Sequence, residues 1–447
     1  MILFDRFLLF LSFILISMIS SSGQNCSCKY TVPSNSHEID GNKLNILPGD
    51  TICLTGDAPY RNLRFSSLKG SKEKPIIIRN CGGAAKVNSE GSYGVKFSEC
   101  SFFKITGSGV EGLKYGISIT TAKGFYLTME NFSTNFEISF IEIAGAGNED
   151  TTQSDGFAGI GVKTKPYCDG SANRGTWTMK NVKIHDNYIH DTGGEGLYVG
   201  HGFYNGRIEK GCTDTTYSHS IEGLQIYNNN IENVGYDGIQ VKNADKECEI
   251  HHNVIKNYGT KNHGAHNEGI FIGEGTTGKV YNNWIENGTG NGIQFQGIGN
   301  NDFFNNVIIK PQGYGFYAAG GKHVFRLPDY YVRVYNNTFI NPGKFAFLFY
   351  GDNTGTKEVV NNIFVTSAQG FSKKGAKVLM SNNIITSNGN DLKFKDIKKN
   401  NFELTSTSPA LNTGKNLSKA GVTFDYKDLK RPFQNHFDIG AFEYVKP

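Results

Sequence analysis

The segment Ile226-Tyr227-Asn228-Asn229-Asn230-Ile231 carries the pattern that decides the fold. It consists of an apolar residue, a spacer, a polar pair ending in Asn, a second spacer and a second apolar residue. Eight copies of this pattern occur between residues 184 and 385, and the fourth position is Asn in every copy. These eight residues are Asn187, Asn229, Asn253, Asn283, Asn306, Asn337, Asn362 and Asn383.

Successive copies lie 42, 24, 30, 23, 31, 25 and 21 residues apart. A repeat of roughly 20–30 residues without helical periodicity is typical of a β-solenoid, in which each turn, or rung, buries its apolar face by stacking on the next. Asn side chains stacked about 4.8 Å apart can hydrogen-bond along the stack, and Asn tolerates the left-handed conformation of turns. We therefore predict an all-β, single-stranded, right-handed parallel β-helix with an Asn ladder and a C-terminal cap.

The repeated Asn pattern resembles the Asn ladder of the pectin lyase-like superfamily, and this resemblance is strongest over residues 136–390. It implies one solenoid, with an N-terminal cap and first rungs at 24–134, the main β-helix at 135–400 and a capping segment at 401–447. The tail from Ser408 to Tyr444 resembles the closing segment of many secreted bacterial β-helix proteins. We expect it to cover the last rung, because an open solenoid end is an exposed sheet edge.

Residues 1–23 have the pattern of an export signal. Arg6 precedes an apolar run from Phe7 to Ile19, and small residues follow before Gln24. The run is too short for a membrane span, so we predict a secreted, periplasmic or cell-surface protein without a membrane-spanning segment. The net charge of +4 is too small to indicate a nucleic-acid partner. We further expect a monomer that needs no cofactor and no metal ion.

The chain has eight cysteines, which an exported protein can use in disulfides. Cys168 and Cys212 both fall in long loops that flank the same rung, so they are the best candidates for a bridge. Buried or free thiols remain an equally open alternative, because connectivity does not follow from sequence.

Three successive rungs place a carboxylate just before the Gly of the strand that follows the Asn pattern. These residues are Glu195, Asp237 and Glu268, and the next rungs carry Asn291 and Tyr314 there. Like charges stacked about 4.8 Å apart repel, so at least one pKa should rise. Adjacent carboxyls would lie roughly 5 Å apart, as in retaining glycosidases, and carboxyls two rungs apart roughly 9.5 Å, as in inverting ones.

Other candidate residues surround this column. Lys242 and His266 are candidate proton-transfer groups near the acids. The outward positions of the following strands hold Tyr198, Gln240, Phe271, Gln294 and Tyr317. We predict that long loops at 145–155, 164–175, 200–220 and 260–267 wall one groove. The predicted substrate-binding residues are Lys163, Tyr198, His201, Arg207, Gln240, His263 and Phe271.

Asp237-Gly238-Ile239 is similar to the strand start that carries the catalytic carboxylates of the polygalacturonase family. This resemblance implies only that the acids lie where catalytic carboxylates would be. From the acid column beneath the loops we expect a secreted glycoside hydrolase that uses Asp237 with Glu195 or Glu268 as acid and base. A purely structural role for the acids stays open, because Asp-Gly and Glu-Gly turns are common in β-helix repeats.

The segments Pro48 to Leu54 and Pro75 to Ile78 are together similar to the start of the chondroitinase B and alginate lyase family. The basic residues near the acid column support a second hypothesis, a lyase or epimerase acting on uronic acid polymers, and that resemblance implies the same class of reaction. Lys242 or His266 would then abstract a proton, while Arg207 or Lys163 would neutralise the uronate carboxylate. A third hypothesis is a non-catalytic glycan-binding or adhesive solenoid. All three hypotheses take a polysaccharide as partner, acidic or neutral.

Overall fold

The computed structural model describes residues 26–121, 123–145, 157–319, 330–350, 355–366, 371–374 and 377–446. Within them the chain winds into a solenoid with three long parallel sheets, here called sheets 1, 2 and 3. Each rung contributes one strand to each sheet, and strands pair with those of the rungs before and after. The predicted parallel β-helix is therefore confirmed. The predicted export signal lies outside the described residues.

The strand bounds follow the sheet order. Sheet 1 contains Tyr30–Thr31, Thr51–Thr55, Ile76–Cys81, Ser101–Thr106, Thr134–Ser139, Thr178–His185, Ser220–Tyr227, Cys248–His251, Gly278–Tyr281, Asn301–Phe304, Val332–Tyr335, Lys357–Val360 and Leu379–Ser381. Sheet 2 contains Pro59–Tyr60, Ala85–Ser89, Ile117–Thr121, Ile141–Ala144, Tyr188–His190, Asn230–Glu232, Val254–Lys256, Trp284–Glu286, Val307–Ile309, Thr338–Ile340, Ile363–Val365 and Ile384–Thr386. Sheet 3 contains Glu38–Asp40, Leu63–Ser66, Tyr93–Ser98, Phe125–Glu130, Ala158–Val162, Glu195–Val199, Ile239–Val241, Ile270–Ile272, Ile293–Gln296, Phe316–Ala319, Phe347–Tyr350 and Phe371–Lys374.

Two short antiparallel pairs lie outside the solenoid sheets. They are Arg207–Ile208 with Thr215–Thr216, and Phe394–Asp396 with Asn401–Leu404. The helical elements in the described part of the chain are the 3-10 turns Gly389–Leu392, Ile397–Lys399 and Ser418–Ala420. No described helix is long and apolar enough to cross a membrane.

The core is built from apolar columns that run along the solenoid. In one rung, Ile226 of sheet 1, Ile231 of sheet 2 and Ile239 of sheet 3 all point inward and are fully buried. They stack in register on Ile250, Ile255 and Ile270 of the next rung. Complete burial of such a side chain contributes about 1.5–3 kcal/mol, so the repeated apolar positions are a main source of stability.

The Asn ladder forms over its whole predicted length. Each ladder side-chain amide donates to the carboxamide oxygen of the next ladder Asn, at 2.9–3.0 Å from Asn187 to Asn383. That same oxygen also accepts the backbone N–H of the preceding ladder Asn, as between Asn253 and Asn283 at 3.1 Å. The ladder therefore satisfies buried backbone groups at the corner between sheets 1 and 2.

The left-handed conformation lies one residue earlier than predicted. The residue before each ladder Asn has a φ between 51° and 60°, and this position is Asp186, Asn228, His252, Asn282, Asn305, Asn336, Asn361 or Asn382. The ladder Asn is thus needed for its amide, and the preceding residue is selected for its tolerance of positive φ.

Three disulfides lie within the described residues. The predicted pair Cys168–Cys212 is confirmed, and it links the loops at 164–175 and 200–220. Cys26–Cys81 and Cys28–Cys53, which were not predicted, link the first described residues to the first rungs of sheet 1. Cys100 and Cys248 are buried free thiols.

The C-terminal segment packs along the side of the solenoid, and its coverage of the last rung stays a prediction. Asn282, Asn336 and Asn382, on different rungs, donate their side-chain amides to tail carbonyls. On the last rung, Leu379 and Ile385 remain 53% and 51% exposed. The buried Arg431 fixes the tail through an ion pair with Glu443, with an N–O distance of 2.7 Å.

The outer face of sheet 2 explains this placement. Its outward residues are polar in the early rungs, as Asn230 and Glu232 show, but become apolar from residue 307 onward. Val307, Ile309 and Ile363 pack in one apolar cluster with the tail residues Phe394, Phe402 and Phe442. Burial of this apolar face stabilises the lateral position of the C-terminal segment.

We predict that Asn283→Ala lowers the free energy of unfolding by about 3 kcal/mol, because its buried partners in both neighbouring rungs lose hydrogen bonds that contribute about 0.5–1.5 kcal/mol each. Urea unfolding would measure the loss. Asn383→Ala is the matched control at the half-exposed end of the ladder, where the side-chain amide donates to Val359 and not to a further Asn. It should cost about 1 kcal/mol. Equal losses at the two positions would contradict a cooperative role for the ladder.

Candidate active site

The register of sheet 3 brings the predicted acids into one column. Ala158 pairs with Glu195, and the strands that begin at Glu195 and Ile239 pair through Leu197 and Ile239. The backbone N–H of Gly196 donates to the carbonyl of Asp237, and that of Gly238 to the carbonyl of Glu268. The three acids therefore occupy equivalent positions on successive rungs, as predicted.

Glu195 and Asp237 form a buried carboxyl pair. Their exposed fractions are 1% and 0%, and one oxygen of each, Glu195 Oε2 and Asp237 Oδ2, has no hydrogen-bond partner. The His266 Nδ1 atom lies 3.7 Å from Glu195 Oε1 and 3.8 Å from Asp237 Oδ2. One oxygen from each acid and an imidazole nitrogen lie within 4.8 Å of one another. Two buried carboxyl oxygens without a protein partner carry a free-energy cost that a purely structural role does not explain.

Burial raises the pKa of both carboxyls. Desolvation raises the pKa of Glu195 to about 7, although Lys163 and Lys242 oppose this shift. Desolvation raises the pKa of Asp237 to about 7, and the neighbouring Glu195 charge adds to that rise. His266 shifts the other way, because burial and Lys242 lower its pKa. Near neutral pH the two carboxyls are therefore each partly protonated, while the His266 imidazole is uncharged.

Glu268 has a different environment. Its Oε2 accepts the backbone N–H of Asn267 at 3.0 Å, and its own N–H donates to Asp237 Oδ1 at 2.8 Å. Desolvation, with Asp237 close by, raises the pKa of Glu268 to about 9. Glu268 is thus protonated at neutral pH, and one of its oxygens has the turn-capping role that was the structural alternative.

An open cavity of about 620 Å³, here called cavity A, lies over the acid pair. Glu195, Tyr198, Lys242, His263 and His266 line it, all of which were predicted as site residues. Asp237 lies behind Glu195 and does not reach the cavity surface. Cavity A thus combines carboxyl, imidazole and ammonium groups with aromatic rings.

The other predicted binding residues do not line cavity A. The Lys163 ammonium lies over the Tyr198 ring, 4.3 Å from its centroid. His201 is buried and contacts the carbonyl of Gly202. Arg207 pairs with Glu209 and lies over Phe203. These side chains hold neighbours of the cavity in place, and their predicted substrate contacts remain predictions.

Gln240 and Phe271 occupy the predicted outward positions of sheet 3, in register with Tyr198. They are nevertheless only 1% and 6% exposed. The Lys242 ammonium lies 5.1 Å from the Phe271 ring centroid. An outward strand position is therefore no guarantee of access, because side chains from neighbouring rungs and loops cover it.

Two of the predicted long loops wall cavity A. Residues 202–206 come from the loop at 200–220, and His263 and His266 come from the loop at 260–267. The loop at 164–175 stays behind them, where Arg174 donates to the carbonyl of Tyr204 at 2.8 Å. Of the loop at 145–155, residues 146–155 lie outside the described residues.

Sequence reasoning missed several residues of cavity A. They are Phe157, Phe203, Tyr236 and Glu274. Tyr236 precedes Asp237 directly, and its ring centroid lies 5.5 Å from His263 and 5.7 Å from His266. An aromatic residue beside a candidate acid was the available signal for this position.

Two groups of described residues have the composition of a metal site. One is Glu195, Asp237 and His266, and their ligand atoms could hold a divalent cation if the carboxyls lose their protons. The other group, Cys28, Cys53 and Cys81, is engaged in disulfides. We predicted that the protein needs no metal ion; a cation held by Glu195, Asp237 and His266 is the alternative to that prediction.

Comparison with known proteins identifies the fold. A family model described as "Right handed beta helix region" matches residues 167–392. No curated protein sequence matches the chain. Solved structures with similar folds include an alginate lyase from Paenibacillus sp. str. FPU-7, at 16% identity and a TM-score of 0.48 over 79% of this chain and 99% of that one.

Two further solved structures have the same kind of similarity. Pectate lyase Pel9A is 14% identical, with a TM-score of 0.41 over 94% of this chain and 98% of that one. A GH136 lacto-N-biosidase from Eubacterium ramulus is 14% identical, with a TM-score of 0.46 over 80% of this chain and 68% of that one. At this identity the similarity concerns the fold alone.

We predict that Glu268→Gln stabilises the protein at high pH. The folded protein favours the protonated acid, so the contribution of Glu268 to stability is full below its ordinary pKa of 4.5 and is lost as the pH rises through about 9. A neutral amide escapes that loss. The melting temperature of the variant, compared with the parent, should therefore increase between pH 5 and pH 9.

Glu403→Gln is the control, because the pKa of Glu403 is shifted in the opposite direction to that of Glu268. Lys427 and Lys395 lower the pKa of Glu403, so this carboxylate stabilises the fold at neutral pH and the benefit is lost in acid. Its variant should melt at a lower temperature at pH 7. A Glu268→Gln variant whose relative melting temperature does not change with pH would show that this carboxyl is solvated in the folded protein.

Proposed function

This chain belongs to the right-handed β-helix family, and on this scaffold we propose an enzyme that hydrolyses glycosidic bonds in a polysaccharide. The observation that carries the proposal is the Glu195–Asp237 pair, two buried carboxyls with unpartnered oxygens beneath the aromatic cavity A. Glycoside hydrolysis requires one protonated and one ionised carboxyl close together, and the pKa values of both acids near 7 allow that division.

The roles of the two acids follow from their surroundings. Glu195 lines cavity A, and the charges of Lys163 and Lys242 favour its ionised form. Burial raises the pKa of Asp237 and so favours its protonated form; a hydrogen bond with Glu268 opposes this rise, and the negative charge of Glu195 adds to it. We assign Glu195 as the nucleophile and Asp237 as the general acid. One oxygen of each acid lies within 4.8 Å of the other, which is closer to the roughly 5–5.5 Å carboxyl separation of retaining enzymes than to the roughly 6.5–9.5 Å of inverting ones.

In the proposed reaction, the Glu195 carboxylate attacks the anomeric carbon while Asp237 gives its proton to the departing glycosidic oxygen. This step forms a glycosyl–enzyme ester and releases one sugar fragment. Water then attacks the same carbon, Asp237 takes its proton, and Glu195 leaves as a carboxylate. Asp237 lies behind Glu195, and the His266 imidazole lies over both carboxyls. The proposed reaction therefore requires the side chains of both His266 and Glu195 to shift when a sugar binds.

A second candidate, a lyase or epimerase acting on uronates, rests on the imidazole itself. His266 Nδ1 has no hydrogen-bond partner, its lowered pKa keeps it neutral, and it shares cavity A with Lys242. His266 could abstract the proton beside a uronate carboxylate, and Lys242 could neutralise that carboxylate. A lyase product is unsaturated and absorbs ultraviolet light, whereas a hydrolase product carries only new reducing ends.

We also propose that the protein acts outside the cytoplasm. Its three described disulfides are typical of an oxidising compartment. The export pattern in residues 1–23 agrees with this location.

We predict that Glu195→Gln and Asp237→Asn each lower kcat by about 100- to 10,000-fold, the usual contribution of a positioned acid or base. Reducing ends released from a panel of polysaccharides would be measured, with ultraviolet absorbance recorded in parallel. Glu274→Gln is the matched control, because Glu274 lines cavity A but does not belong to the carboxyl pair. Full activity in both pair variants would eliminate the hydrolase proposal, and an ultraviolet-absorbing product would favour the lyase.

We predict a bell-shaped pH–rate profile with its maximum near pH 7. The rate falls in acid because Glu195 gains a proton, and it falls in base because Asp237 loses one; both pKa values are about 7. Initial rates between pH 4 and pH 10 would test this expectation. A rate that rises steadily to pH 10 would contradict the shared-proton pair.

A further inference from the structure

A second cavity, here called cavity B, continues along sheet 3 beyond the acid column. Its volume is about 740 Å³, and it lies over the rungs that carry Asn291 and Tyr314 at the acid position. We propose that cavity B is a binding site for uncharged sugar units. The proposal rests on the hydrolase function and extends it to the chemical class of the substrate.

Aromatic rings line cavity B. Tyr314 and Tyr317 both line cavity B, with ring centroids 5.5 Å apart and planes inclined by 27°. Tyr350, two rungs beyond Gln294, also lines the cavity and is 50% exposed. Tyrosine combines an apolar face with a hydroxyl group, which suits the mixed surface of a sugar ring.

Side-chain amides that can hydrogen-bond to sugar hydroxyls also line cavity B. Asn291, Gln294 and Gln296 line the cavity beside the rings. The Asn291 amide donates to Gln294 Oε1 at 2.7 Å, which fixes the orientation of both groups. Each amide offers both donors and acceptors, so such a wall can pair with hydroxyls that do both.

The charge of the lining indicates uncharged sugars. Among the described residues that line cavity B, Lys344 is the single cation, and its ammonium lies 5.3 Å from the Tyr314 ring centroid. Glu268 is the single acid in that set, and one of its oxygens already accepts the backbone N–H of Asn267. A chain of uronates would bring one carboxylate per sugar into this cavity and leave most of them without a counter-charge, which is unfavourable on desolvation.

Cavity B lies beside the acid column, where it can hold the sugars on one side of the bond that is cleaved. Glu268 lines cavity B and Glu195 lines cavity A, so the two cavities lie on either side of Asp237 in one column. The loop at 260–267 separates them, with His263 and His266 facing cavity A and Asn262 and Gly264 facing cavity B. A polysaccharide cleaved at the pair could thus place its sugars on both sides of the reacting bond.

Isothermal titration of the full chain carrying Glu195→Gln, which stops cleavage, tests the proposal. The probes are neutral hexasaccharides of glucose, mannose, xylose and galactose, with galacturonate and mannuronate hexasaccharides as acidic counterparts. We expect at least one neutral probe to bind, and Tyr317→Ala or Gln294→Ala to weaken it about tenfold, the effect of one lost contact. Tyr331→Ala is the control, since this half-buried tyrosine lines a cavity on sheet 1.

Binding of acidic probes alone, or of no probe, would overturn the proposal. So would neutral binding that neither Tyr317→Ala nor Gln294→Ala weakens; the second variant serves if the first does not fold. The hydrolase function is tested separately, because it depends on cleavage by the chain with Glu195 intact. Neutral binding without any cleavage would reject hydrolysis and retain cavity B as a sugar site.

Discussion

The amide-to-amide hydrogen bond between stacked asparagines is the interaction on which the rest of this structure depends. It joins eight rungs at one corner, from Asn187 to Asn383, and satisfies backbone groups that the turn would otherwise leave buried and unpaired. Because each bond requires its two Asn residues to be in register, the ladder also fixes the alignment of the three sheets. Insertions are therefore confined to the loops, where they can vary without disturbing the core.

That fixed register is what allows three acids to stack on sheet 3. Like charges in adjacent rungs are unfavourable, and burial raises the pKa of all three acids, so they are not all charged at neutral pH. The acids nevertheless differ, because Glu268 uses one oxygen on a turn amide while Glu195 and Asp237 each keep one oxygen without a partner. The carboxyl oxygens that are available for a reaction thus lie at one end of the acid column, which is otherwise a regular repeat.

The loops convert this column into a site with two sides. Cys168–Cys212 and Arg174 hold the loop at 200–220, and the loop at 260–267 places His266 over the carboxyl pair. The C-terminal tail packs on the outer face of sheet 2, away from sheet 3, so it leaves both cavities open. A solenoid with one face covered and another exposed suits the binding of an extended polymer.

The sequence by itself determined the fold, the Asn ladder, the common column of Glu195, Asp237 and Glu268, and the best disulfide candidate, because all four follow from residue spacing in a regular repeat. Only the tertiary structure decided which side chains are accessible. Gln240 and Phe271 have the same strand position as Tyr198, yet neighbouring rungs and loops bury them. The lateral packing of the tail and the contact between His266 and the acid pair likewise join residues distant in the chain, and such long-range contacts leave no periodic signal in the sequence.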